Sequence, residues 1–203
     1  MKKSPGKPVF IVFEGLDGTG KTSCAKRTAE LLGAHYMTTP TVALRKYRDE
    51  IISSFNGNQE AAQMFYLATV LAASREAKSL LEKGQSVVLD RYFLSTQVYA
   101  EFRGSILDID ESIAKILLPA DWTVFLEAPL NVRRGRILPR LCSASDDETL
   151  STHANAALLA GYARRMHLPV AGTWMRIDTS DSGIQVVAQK VIHQITHDKE
   201  ACV

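Results

Sequence analysis

The chain has 203 residues, 46% of them hydrophobic, which is enough to build one domain around a buried core and too apolar for a disordered chain. Twenty-four Lys and Arg against 22 Asp and Glu leave a formal charge of +2, too balanced for a nucleic-acid coat or a polybasic membrane binder. Cys24, Cys142 and Cys202 are odd in number and in no metal-ligand spacing, so neither a disulfide framework nor a zinc ribbon is expected, and reduced thiols suit a cytoplasmic protein.

Lys2, Lys3 and Lys7 precede an apolar run that is too short for a signal peptide and reads as a strand over Val9–Glu14. A helix over Lys21–Leu32 follows, closed by Gly33, and then a strand over His35–Thr39. Helices are expected over Val42–Ser54 and Gln59–Lys83, the second ended by Gly84. Its nearly apolar stretch Met64–Ala73 falls short of a membrane span, so no membrane partner is expected. A strand over Ser86–Asp90 leads to helices Leu94–Phe102 and Ile109–Leu118, and a strand over Thr123–Glu127 leads to a helix over Leu130–Leu138. The chain closes with a helix over Leu150–His167, a strand over Thr173–Asp178 and a helix over Ser182–His197, with Asp181 or Ser182 as its cap. Strands alternating with helices, without repeat or linker, predict one α/β domain over residues 1–203 with five parallel strands covered by helices on both faces. The segment at about 133–150 carries Arg133, Arg134, Arg136 and Arg140 and then the polar run Ser143–Glu148; it reads as a mobile lid, or as an exposed surface loop.

The strongest chemical signal is Gly15-Leu16-Asp17-Gly18-Thr19-Gly20-Lys21-Thr22, which fits G-x-x-x-x-G-K-[ST] between a strand and a helix. Glycines let successive N–H groups converge on phosphate oxygens, and the helix N-terminus adds partial positive charge. Lys21 is suited to neutralise β and γ phosphates, and the Thr22 hydroxyl to face Mg²⁺. Gly15, Asp17, Gly18, Thr19, Gly20, Lys21, Thr22 and Ser23 are the candidate nucleotide-binding residues. The second signal is Asp90-Arg91 at the end of a buried strand. Asp90 can hold Mg²⁺ or its water and Arg91 can stabilise phosphoryl charge, whereas the plain alternative is a surface ion pair. The guanine-reading Asn-Lys-x-Asp and the protein-kinase loops are both missing, which leaves phosphoryl transfer to a small acceptor.

Taken together, Phe13-Glu14-Gly15-Leu16-Asp17-Gly18-Thr19-Gly20-Lys21-Thr22, Asp90-Arg91-Tyr92 with Ser95 and Tyr99, and Ile177-Asp178 resemble the thymidylate-kinase-like nucleoside monophosphate kinases. The resemblance runs through nearly the whole chain. It implies a three-layer P-loop NTPase fold, ATP with Mg²⁺, and γ-phosphoryl transfer to a nucleoside monophosphate. It also implies roles by position: Lys21, Asp90 and Arg91 in catalysis, Thr22 and Asp90 at the metal, and Asp17, Phe65, Thr69, Ser95 and Tyr99 around the acceptor. Phe65 and Tyr99 are equally readable as core aromatics.

The departures concern the acceptor. Where those kinases read Thr-Arg-Glu-Pro-Gly, this chain has Thr38-Thr39-Pro40-Thr41-Val42, and Thr69 stands where a second arginine is expected. A buried phosphate without cationic donors is costly. Stretches around Phe65–Lys78 and Asp90–Ala100 resemble the mitochondrial UMP-CMP-kinase-like branch, and Arg45, Arg48, Arg75 or Arg103 can supply phosphate contacts or stand as solvated helix charges. With glycine at position 18, a catalytic guanidinium is expected from the lid, Arg140 first and Arg136 next. The resemblance and the long apolar helix also suggest a homodimer. Two other readings stay open: a kinase of a nucleoside or metabolite hydroxyl, and an ATP-binding module without transfer.

Overall fold

The computed structural model describes residues 7–137 and 148–201. Its centre is β1 (Phe10–Gly15), a strand with every residue buried. Side chains alternate across it: Phe10 and Val12 enter one core with Leu67, Phe93, Phe125 and Leu158, while Ile11 and Phe13 enter the other with Ala25, Val88, Val124 and Val187. A strand apolar on both faces belongs in the middle of a parallel sheet.

The remaining strands are β2 (His35–Thr38), β3 (Val87–Asp90), β4 (Trp122–Glu127) and β5 (Thr173–Asp178). They make one five-stranded sheet of order β2-β3-β1-β4-β5, with all neighbours parallel. The order changes direction at β1, so the loop that leaves it opens at the carboxyl edge where such sheets take ligands. Helices α1 (Lys21–Leu32) and α9 (Ile184–Ala201) cover one face; α4 (Gln59–Glu82), α5 (Phe93–Phe102) and α8 (Thr152–Arg165) cover the other. This is the three-layer arrangement expected. Among the described residues, no helix is long and apolar enough to cross a membrane.

Four expectations are corrected. The single helix over Val42–Ser54 is two, α2 (Val42–Arg45) and α3 (Arg48–Ser54), and neither buries a residue. Without packing against the core nothing enforces continuity, and the Tyr47 N–H donates to the Leu44 carbonyl in a tight turn. The helix expected over Ile109–Leu118 is only α6 (Asp110–Ala114), because the Leu118 N–H turns away to the Ser74 hydroxyl at 2.9 Å. The helix expected from Leu150 begins at Thr152, where the Ser151 side chain accepts from the Ala154 N–H. The last helix begins at Ile184 with the Gly183 carbonyl accepting its first bond, so Asp181 and Ser182 lie before the cap position. Gly33 and Gly84 do end their helices, at φ of 61° and 80°.

Candidate active site

The loop after β1 is shaped by two glycines that nothing else can replace. At Gly15, φ is 136° and a Cβ would stand 2.4 Å from the Leu126 carbonyl oxygen. At Gly18, φ is 82° and a Cβ would meet the Arg133 backbone at 2.9 Å, because α7 (Leu130–Ile137) lies directly on the loop. The loop closes on itself through the Thr19 hydroxyl, which donates to the Leu16 carbonyl at 2.8 Å. Gly20, at φ of 91°, hands the chain into α1. Lys21 is buried; its ammonium donates to the Leu16 carbonyl at 2.7 Å and stands 3.9 Å from Asp17. Burial, joined by the Arg91 charge, pulls its pKa down to about 8 against the opposing pull of Asp17, Asp90 and Glu14. Thr22 and Ser23 are exposed on the first turn of α1, beside the loop mouth.

At the end of β3 the Asp90 carboxylate meets the loop. The Thr22 hydroxyl donates to Asp90 Oδ2 at 2.6 Å, and the Tyr36 phenol reaches the same oxygen at 3.3 Å. Asp90 Oδ1 is buried with no hydrogen-bond partner. An orphaned carboxylate oxygen beside a threonine hydroxyl is the donor set a hard cation takes, and Mg²⁺ binds through one or two such ligands while keeping its waters. The residues therefore fit the metal that the resemblance implies. Burial and the Asp90 charge push the Tyr36 phenol well above its ordinary pKa, so it stays a donor.

Next along the chain, Arg91 holds φ at 68°, a left-handed conformation that costs a residue with a side chain roughly 1–3 kcal/mol. The turn aims its guanidinium at Asp17, with which it forms a close ion pair. The Asp17 carboxylate also accepts from the Tyr99 phenol at 2.9 Å and from the Thr149 hydroxyl at 3.2 Å. Burial alone would raise the Asp17 pKa, but the Arg91 and Lys21 charges overcome it and hold the carboxyl well below the usual range.

Beneath this cluster lies Glu14, fully buried. It accepts from the N–H groups of Tyr92 at 3.0 Å and Ser95 at 3.2 Å, and from the Tyr162 phenol at 3.1 Å. Desolvation raises its pKa despite those donors. The carboxylate thus ties β1 to the start of α5 and to α8, and sets Arg91 between them.

Other expected residues have partners of their own. Ser95 is buried with its hydroxyl directed to Glu14 and the Tyr92 carbonyl. Thr69 is buried and spends its proton on the Tyr66 carbonyl of its own helix. Phe65 is half-buried, edge-on to Tyr66 with centroids 5.3 Å apart. The three described arginines of α7 diverge: Arg133 is buried and donates to the Asp17 carbonyl and Asn155, Arg134 to the Leu150 carbonyl, and Arg136 to the carbonyls of Gly18, Thr179 and Ser180. Arg140 lies outside the described residues, as does most of the expected lid. A cleft of about 340 Å³ behind the loop, bounded by Leu16, Phe125, Arg133, Asn155 and Leu159, contains none of Asp90, Arg91 or Tyr99.

Sequence reasoning missed Tyr36, Thr149 and Tyr162 and the roles of Arg133 and Glu14. Each acts across a long stretch of chain, as with Tyr162 on Glu14, and only the position of Glu14 beside the loop motif offered a local signal.

Residues 13–191 match the family model described as thymidylate kinase. The chain belongs to the thymidylate kinase family. It is 28% identical over 193 residues to a probable thymidylate kinase of Methanococcus maripaludis strain C6, covering 92% of this chain and 94% of that one. A probable thymidylate kinase of Methanococcus vannielii is 36% identical over 96 residues, about half of either chain. In three dimensions a thymidylate kinase from Candida albicans superposes with a TM-score of 0.72 at 20% identity, covering 95% of this chain and 93% of that one. A deoxyadenosine kinase from M. mycoides gives 0.67 at 15%, covering 93% and 99%. Those two likenesses establish a shared P-loop kinase fold. Family membership makes the chain a nucleoside monophosphate kinase, a phosphotransferase whose product is a diphosphate.

Proposed function

We propose that this single domain transfers the γ-phosphoryl of Mg·ATP to a nucleoside monophosphate, through the residues gathered at the carboxyl edge of β1 and β3. The observation that carries the reading is the Thr22–Asp90 bond at the loop mouth with the Asp17–Arg91–Tyr99 cluster beside it. The glycine loop and Lys21 bind the β and γ phosphates of the donor. Thr22 and Asp90 hold Mg²⁺, which when bound neutralises phosphate charge during transfer. Arg91 lies between the two substrates and stabilises charge on the transferring group, while Asp17 and Tyr99 meet the acceptor's sugar. A phosphate oxygen of the acceptor forms the new bond to the γ phosphorus as the bond to the β-bridging oxygen breaks and ADP leaves. The nucleophile is already an anion, so catalysis is positioning and charge stabilisation. Arg136 binds the donor side through its place on the loop, and Arg140 is the guanidinium we assign to the transition state.

Partners follow from the same reading. ATP is the donor and no nucleic acid is required. A homodimer is supported by the exposed stripe Met64, Ala68, Leu71 and Ala72, spaced as one face of α4. Sedimentation velocity showing a dimer that Leu71→Lys dissociates bears this out; a monomer at all concentrations removes it. The odd, scattered cysteines favour the cytoplasm.

The test of activity is incubation with Mg·ATP and a panel of nucleoside monophosphates, nucleosides and no acceptor, with products read by mass. A nucleoside diphosphate is expected. A monophosphate made from a nucleoside would move the assignment to hydroxyl transfer, and no product from any acceptor would leave an ATP-binding module.

A further inference from the structure

The glycine loop is held from outside as well as from within. Three successive carbonyls of it face donors from distant parts of the chain. The Asp17 carbonyl accepts from Arg133 at 3.1 Å, and the Gly18 carbonyl from Arg136 at 3.3 Å. The Thr19 carbonyl lies 3.0 Å from the Thr179 hydroxyl, whose one proton it shares with the Glu127 carbonyl. In a trans peptide the C=O and the following N–H point in opposite directions. Bonds on the outer side therefore turn the N–H groups of Gly18, Thr19 and Gly20 toward the inner side of the loop.

On that inner side donors outnumber acceptors. The Lys21 ammonium, the Thr19 hydroxyl and the Thr19 N–H all converge on the Leu16 carbonyl, at 2.7, 2.8 and 3.3 Å. A carbonyl oxygen has two lone pairs, so three donors on one neutral oxygen are a set that the anionic oxygens of a polyphosphate satisfy better.

Among the outer donors Arg133 stands apart. Its side chain is only 1% exposed, and both of its hydrogen-bond partners are neutral: the Asp17 carbonyl and the Asn155 side chain, the latter at 2.5 Å. Burial disfavours its charge, so packing alone would favour an apolar residue in its place. We propose that Arg133 is a positioning residue for the donor's phosphates, whose charge fixes and polarises the Asp17–Gly18 peptide so that the Gly18 N–H faces the polyphosphate. A charged donor on a carbonyl strengthens the N–H of the same peptide, by about 10–30% per bond in hydrogen-bonded chains. Asn155 orients the guanidinium without cancelling its charge, which a carboxylate there would do. The inference rests on the reading of this loop as the site of the β and γ phosphates.

The test is calorimetric and needs neither acceptor nor turnover. Wild type, Arg133→Met, Arg133→Lys and Asn155→Ala are titrated with Mg·ATP and with Mg·tripolyphosphate, which has phosphates and no base, and urea unfolding is recorded for each. Wild type is expected to bind both probes. Arg133→Met is expected to weaken both by about 5- to 20-fold and by the same factor, since only phosphate contacts change. Arg133→Lys, which keeps the charge, should recover part of the loss. Asn155→Ala cuts the tie between α7 and α8 but leaves the bond to Asp17, so it should bind both probes within about twofold of wild type even where its unfolding midpoint falls. Arg133→Met with undiminished affinity overturns the proposal. So does Asn155→Ala losing as much affinity as Arg133→Met, which would make Arg133 a structural tie; both results leave the kinase reading standing. Should Arg133→Met not fold, Arg133→Lys below wild type with Asn155→Ala level with it supports the proposal, and the reverse overturns it. A wild type that binds neither probe overturns the loop reading as well.

Discussion

The two sides of the cleft are built on different principles. Around the glycine loop the backbone is tightly held: the loop is bonded to itself, α7 lies on Gly18, and the Arg136 guanidinium bridges three carbonyls, while the buried Asp90 Oδ1 beside it is left open. In the segment after β2, α2 and α3 bury nothing, and Arg45 reaches the sheet through one hydroxyl. A loop fixed from several directions keeps one geometry, whereas a segment that buries nothing can shift at little cost, so order and freedom lie in different parts of the same sheet edge.

Breaking the donor side should do the most damage. Lys21→Ala is expected to lower kcat by at least about 10²–10³-fold with the circular dichroism spectrum and unfolding midpoint close to wild type. Retained turnover would remove the loop from the mechanism. Gly15→Ala is expected to destabilise the fold by roughly 3 kcal/mol in urea, because its Cβ has the Leu126 carbonyl as a neighbour at 2.4 Å. The segment after β2 offers the contrast, since Val42→Ala should change the unfolding free energy by no more than about 0.5 kcal/mol.

A pH profile sharpens the same division. The free enzyme's Lys21 has its pKa pulled down from 10.5 to about 8. The ammonium needed for phosphate is lost as pH rises through that value, so kcat/KM for ATP should fall on the alkaline side with an apparent pKa near 8. Lys21→Arg should abolish that limb. For stability the sign is opposite: between about 8 and 10.5 the unfolded chain binds more protons at this residue, so its contribution to stability rises with pH there. An effect between those of Gly15→Ala and Val42→Ala belongs to Ser151→Ala, which removes the cap of α8 and should cost about 1 kcal/mol with no change in KM for either substrate.

What could be read without coordinates was whatever is written contiguously. The loop from Gly15 to Thr22, the order of strands and helices, and Asp90-Arg91 at a strand end are local patterns, and the fold places all of them at one edge. The α2–α3 break was invisible because Leu44, Tyr47 and Ile51 carry helical spacing but have no core to pack against. The Glu14–Tyr162 bond and the Thr149 hydroxyl on Asp17 were illegible for another reason. They join positions 148 and 132 residues apart, and nothing in either neighbourhood names the other.

The gathering of Lys21, Arg91, Arg133 and Arg136 around a single turn of backbone has a thermodynamic meaning. Burial first and the Arg91 charge second pull the Lys21 pKa down, against the pull of Asp17, Asp90 and Glu14, so any anion that enters beside Lys21 favours its charged form. For a polyphosphate that binds the folded chain alone, each tenfold rise in concentration above Kd adds about 1.4 kcal/mol to the stability of the domain, so a thermal shift on adding nucleotide would report that match of charge.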